Sequence, residues 1–148
     1  EVVPYVGRIA INNPAAPFAP DYRFGEVIGL AEPSISWKGD ALSVCLRWVS
    51  LAVTETDYHL FVHILSAGGD LLTQYDAEPR EGRYPTSGWS SGEVVEECIT
   101  LDGAGLSEPP QRVSIGLYRW PDGERLPAAD AQGTRLENDS LYIEIHAP

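Results

Sequence analysis

Hydrophobic and polar positions alternate in twos along most of the chain, and the alternation is clearest over 41–50. There Leu42, Val44, Leu46 and Trp48 point one way, and Ser43, Cys45 and Arg47 the other. Residues 94–101 alternate again, and Val113, Ile115 and Leu117 mark one face of 112–120. Leu141, Ile143 and Ile145 alternate with Tyr142, Glu144 and His146 near the end. The run 58–66 is almost continuously apolar, turns at Gly68-Gly69-Asp70 and returns over 71–76 as a hairpin. Residues 24–36 read as one bent strand, split by Pro33. Turn signals such as Asp102-Gly103, Pro109-Pro110 and Pro121-Asp122-Gly123 stand between these runs. No segment of ten or more residues carries a helical period. The pattern predicts an all-β antiparallel sandwich, jelly-roll or immunoglobulin-like, with about eight strands and no substantial helix.

Residues 1–21 depart from that pattern. Pro4, Pro14, Pro17 and Pro20 remove donors from any ladder, so this part reads as an extended lead-in or edge strand, with a short strand over 5–11. Phe18 and Phe24 are placed to pin it to the body. Residues 22–148 form the single sandwich domain. At 148 residues the chain can bury about 68–70% of its unfolded surface, enough for a real core. No run of about 18 apolar residues is present, so no membrane insertion is expected. The first ten residues have neither the basic start nor the apolar block of a signal peptide. The absence of methionine suggests that Glu1 is a cut or processed end.

Charge narrows the partners. Twenty-two acidic residues against ten basic give a net charge of −12, which opposes nucleic-acid binding and attraction to anionic membranes. No cofactor is expected. His59 and His63 are four apart, but on a strand they stand roughly 13 Å apart and cannot share a metal ion. Asp70, Asp76, Glu78 and Glu81 cluster near the hairpin without the spacing of a calcium loop, so they read as solvated turn acids.

The stretch 84–93, YPTSGWSSGE, sits between strand-like runs and holds the most distinctive chemistry. Gly88-Trp89-Ser90-Ser91-Gly92 matches the nucleophile elbow G-x-S-x-G. That elbow needs a helix after it, and here a β-rich run follows, so no catalytic residue is assigned. Trp89 is then either a plug for the open end of the core or a platform for a sugar ring. Trp120 lies beside a turn and poses the same choice. Trp89, Tyr84, Trp120 and Asp76 are the candidate ligand-binding residues. Cys45 and Cys98, the only cysteines, both leave the apolar faces of their strands. If the second and fifth strands are neighbours, as in many Greek-key sandwiches, the two meet on an outer sheet face and form a disulfide in an oxidising compartment.

The segments RFGEVIGL, GDALSVCLRW, DYHLFVHIL, QYDAEP, YPTSGWSSGE and SIGLYRWPDGERLP, in this order over 24–127, resemble the C-terminal soluble domain of bacterial polytopic glycosyltransferases similar to the protein-mannosyltransferase group. The resemblance implies a β-sandwich outside the cytoplasm, following membrane helices that carry the transferase chemistry. It implies that Tyr84, Pro85, Thr86, Trp89, Gly92, Glu93, His63 and Asp76 are family hallmarks. The functional expectation is a non-catalytic accessory module of a cell-envelope protein, with a glycan or the membrane domain of its own full-length protein as partner. The alternative is a purely structural or protein-interaction domain without a small ligand.

Overall fold

The computed structural model describes residues 19–147 and, nearer the start, two short strands, β1 (Val2–Val3) and β2 (Gly7–Arg8), which pair in parallel. The strand expected over 5–11 is met only at Gly7–Arg8; its other residues, and Phe18, lie outside the described residues.

Nine further strands follow: β3 (Tyr22–Phe24), β4 (Ile28–Lys38), β5 (Ala41–Ser50), β6 (His59–Leu65), β7 (Leu71–Ala77), β8 (Val94–Asp102), β9 (Arg112–Tyr118), β10 (Ala128–Asp130) and β11 (Leu141–Glu144). They form a five-stranded sheet in the order β10-β3-β4-β5-β8 and a four-stranded sheet in the order β11-β9-β6-β7. Every pairing within these two sheets is antiparallel. The fold is all-β with a shared core between two sheets, as in a β-sandwich. Among the described residues no helix is long and apolar enough to cross a membrane.

The alternation explains the core. Leu42, Val44, Leu46 and Trp48 of β5 and Val95, Ile99 and Leu101 of β8 are buried, as are Leu60, Val62 and Ile64 of β6 and Val113, Ile115 and Leu117 of β9. Phe24 meets Trp48 edge-on at 5.9 Å between ring centroids. Such aromatic pairs add about 1 kcal/mol to the burial itself.

The stretch read as one bent strand is two strands. Gly25 and Glu26 both have positive φ, 61° and 60°, and Val27 N–H donates to Phe24 O, closing a tight hairpin between β3 and β4. Glycine adopts that conformation freely, whereas Glu26 does so at a cost, so the turn has only half the usual sequence signal. Pro33 does not split β4. The register steps from Ala31↔Arg47 to Ser34↔Cys45, leaving Glu32 and Pro33 in a bulge where a missing N–H breaks no ladder bond.

One carboxylate faces inward. Glu97 pairs with Leu46 on the core side of β8. Its Oε2 accepts from Trp48 Nε1 at 3.1 Å and its Oε1 from Arg80 N at 3.0 Å. Burial pushes the Glu97 carboxyl above its usual range in spite of these two donors. Arg80 Nε also donates to Glu96 O, so the 3-10 turn Pro79–Gly82 fastens onto the edge strand β8. Covering an edge in this way blocks strand-to-strand association there.

Candidate functional site

The loop 84–93 is built as a plug. The Trp89 ring is 3% exposed and belongs to the core cluster, with Nε1 donating to Tyr84 O at 3.0 Å. The buried Thr86 hydroxyl donates to Thr56 O and accepts from Tyr58 N, tying the loop to the segment before β6. Tyr84 OH donates to Glu93 Oε2 at 2.6 Å, while Glu93 Oε1 accepts from Ser90 N. Burial, followed by that bond and the Glu93 charge, pushes the Tyr84 phenol up to about 12. Trp89 therefore has almost no ring face open to a ligand, and the Tyr84 hydroxyl is held by Glu93. Trp89 is thus built into the plug, and Tyr84, half-buried beside it, holds the loop through Glu93. After Gly92 the chain enters β8, not a helix, and the Glu93 carboxylate holds the Ser90 amide rather than its hydroxyl.

The other two candidates come together elsewhere. On β6 the side chains of His59, Phe61 and His63 share the outer face of the four-stranded sheet, because Leu60, Val62 and Ile64 fill the inner one. Register places Tyr118 of β9 beside His59, and Gly116 of β9 and Asp76 of β7 on either side of Phe61. Gly116 has to be glycine: a Cβ there would collide with Phe61 Cζ. The Phe61 ring settles into that gap and is only 2% exposed. Arg125 covers it, with the guanidinium carbon 4.2 Å from the ring centroid, and anchors itself by donating from Nη1 to Asn138 O.

The rings form a continuous stripe. Phe61 lies 4.9 Å from His63 and 6.3 Å from Tyr118, and His59 lies 5.4 Å from Tyr118 and 5.5 Å from Trp120. Trp120 ends the stripe. It is 67% exposed, one of three large apolar side chains the described residues leave in water, and the only aromatic among them.

Polar groups border the rings. His63 Nε2 stands 4.0 Å from Asp76 Oδ2. Burial lowers the His63 pKa below its ordinary value, Asp76 opposes that shift and Arg125 reinforces it. Desolvation wins, so the imidazole is neutral near pH 7 and the contact is not an ion pair there. Burial first, then the charge and hydrogen bond of Asp76, raise the Tyr118 phenol. The Tyr118 phenol and the Asp76 carboxylate beside it thus lie on the His59 side of the stripe that the open indole ends, and His63 lies at its other end. Among the described residues no group of three or more His, Cys, Asp or Glu side chains is placed to hold a metal ion.

The sequence marks Trp120 and Asp76, and the fold adds Phe61, Tyr118 and Arg125 as their companions. The period-two spacing of His59, Phe61 and His63 was the available signal, and it was masked by the near-continuous apolar run in which they sit.

Cys45 and Cys98 are directly opposed in the β5–β8 register and are bonded, with an S–S distance of 2.07 Å. They lie on the outer face of the five-stranded sheet, since Val44, Leu46 and Ile99 occupy the inner one. No protein-family model, curated protein or solved structure matches the chain.

Proposed function

We propose that the chain is a non-catalytic accessory module of a cell-envelope protein that binds carbohydrate on the outer face of its four-stranded sheet. The observation that carries the reading is the Trp120 ring, two-thirds exposed and seated on His59 beside Tyr118. A pyranose has one apolar face of C–H groups and a rim of hydroxyls. The indole offers the matching flat apolar surface, and the Tyr118 hydroxyl and Asp76 offer a donor and an acceptor for the rim.

Charge supports the choice of a neutral ligand over nucleic acid, at −12 for the chain. The envelope setting rests on the resemblance of 24–127 to the soluble domain of polytopic glycosyltransferases, and a disulfide suits an oxidising compartment. A neutral-glycan array is the test. Binding to a defined group of glycans, lost in Trp120→Ala with the fold intact by circular dichroism, is the expected result. Silence across a broad array would favour a structural or protein-interaction role for the same face.

A further inference from the structure

We infer that the open edge of β7 is a docking site for an extended segment of a partner protein, one that carries Lys or Arg at alternate positions and adds as a further strand to the four-stranded sheet. The inference is independent of the glycan reading, since it uses the β7 backbone rather than the Trp120 ring.

Among the described residues the two sheets end in β10, β8, β11 and β7. Three of these ends are covered or short. The return 134–136 bonds back onto β10, Asp130 N donating to Thr134 O and Leu136 N to Ala128 O. The turn Pro79–Gly82 fastens onto β8 through Arg80 Nε and Glu96 O. β11 has four residues, and just beyond it His146 O accepts from Trp37 Nε1. β7 is seven residues long, holds no proline or lysine, and buries none of its residues.

The pairing shows which groups of β7 are open. In antiparallel pairs the residues of a strand bond alternately to one neighbour and to the other. Leu117 O accepts from Leu126 N, so Leu117 is turned away from β6, and Gly116 and Tyr118 are turned towards it. Their partners Phe61 and His59 therefore bond to β9, which leaves Leu60, Val62 and Ile64 for β7. Those three oppose Ala77, Tyr75 and Thr73. Gln74 and Asp76 thus direct N–H and C=O away from β6, and no group among the described residues bonds to these backbone atoms. An edge open in this way is a template for another strand, with main-chain bonds supplying affinity and alternate side chains supplying specificity.

Charge selects the occupant. Residues 48–79 contain no Lys or Arg, and carboxylates stand at Asp70, Asp76 and Glu78, within β7 and next to its two ends. His63 is neutral near pH 7 and leaves the Asp76 charge in place. Successive side chains of an added strand fall on opposite faces. Those on the outer face lie beside Gln74 and Asp76, where a cationic group meets an opposite charge. Those on the inner side lie beside the half-buried Tyr75, against which a β-branched side chain packs well. A second copy of the chain would bring the same acids to the same edge with a net charge of −12 on each partner, so like-charge repulsion opposes it.

The test uses the whole chain and a nine-residue synthetic peptide alternating lysine with valine, with amide exchange followed by NMR. Without peptide, the Gln74 and Asp76 amides should exchange freely while those of Thr73 and Tyr75 are protected. Protection of all four would show the edge already occupied, by another part of the chain or by a second copy, and would overturn the proposal. Saturating peptide should slow the Gln74 and Asp76 amides at least roughly tenfold. Two further peptides carry N-methyl groups on alternate amides, one set each. One should bind at least roughly tenfold more weakly and the other as before, because only one set of amides faces β7. Equal affinities would reduce the contact to charge attraction and sink the idea. Exchanging lysine for glutamate in the peptide should abolish binding. So should Gln74→Pro, which removes a ladder donor at an edge position where proline is tolerated. Undiminished binding by either, or no binding of the lysine peptide, would contradict the assignment. If Gln74→Pro fails to fold, the N-methylated pair on the unmodified chain still decides.

Discussion

Replacing Trp89 by alanine separates the plug from the platform. A tryptophan buries about 150–250 Å² on folding. With 3% of its surface left in water, Trp89 recovers nearly all of that area. At about 25 cal/mol per Å² the transfer amounts to roughly 4–6 kcal/mol, an upper figure because the denatured chain is itself partly compact. Truncation also leaves the Tyr84 carbonyl without the indole donor, which adds about 1 kcal/mol. Partial collapse of the cavity works the other way, and buried Trp→Ala changes in general cost about 3–5 kcal/mol. The expected loss is about 4 kcal/mol, or a fall of roughly 10–15 °C in Tm for a domain of this size. Urea denaturation followed by far-UV circular dichroism measures it, with Trp120→Ala as the companion. Trp120 is 67% exposed, so its removal should change stability by no more than about 0.5 kcal/mol. A cost below about 1 kcal/mol for Trp89→Ala would refute the plug. So would equal costs for the two tryptophans.

Three further outcomes follow from the packing. Gly116→Ala should lose about 1–3 kcal/mol, because the new methyl drives the Phe61 ring from beneath Arg125; an unchanged urea midpoint would contradict that packing. His63 is held neutral in the fold, with its pKa depressed mainly by burial. Its contribution is therefore present above the unfolded value near 6.5 and fades as pH falls through the folded one. Comparing acid unfolding of the unmodified chain with His63→Gln should give a flatter profile for the variant below pH 6.5. Tyr84 behaves in the opposite sense, because its folded pKa of about 12 exceeds its ordinary value of 10.0. Its contribution is complete below about pH 10 and disappears as pH rises through about 12. The stability gap between the unmodified chain and Tyr84→Phe should close over that interval, and a gap constant with pH would rule out the Glu93 bond.

The sandwich was legible because its strands alternate cleanly where one face is buried. Leu42, Val44, Leu46 and Trp48 announce β5, and their outward neighbours correctly set Cys45 apart from the core. The number of strands was harder to read. Glu26 in a left-handed conformation hides the hairpin between β3 and β4, and β10 is three residues long with no alternation to display. The Trp120 face was only partly legible for a different reason. Phe61 is buried on the outer side of β6 by Gly116 and Arg125, so inner and outer positions are both apolar and the period of two vanishes. Glu97 is the converse case, a polar residue at an inward position, kept there by the Trp48 indole and the Arg80 amide. Neither pairing is local in sequence, and only the folded register brings the partners together.

The most direct measurement is a tryptophan-fluorescence titration with the glycan that responds best on an array, run on the unmodified chain and on Trp120→Ala. A ligand stacked on the exposed indole should change the emission saturably, and that response should vanish in the variant while its urea midpoint stays put. Full saturable binding by folded Trp120→Ala, measured in parallel by calorimetry, would contradict the assignment of this face.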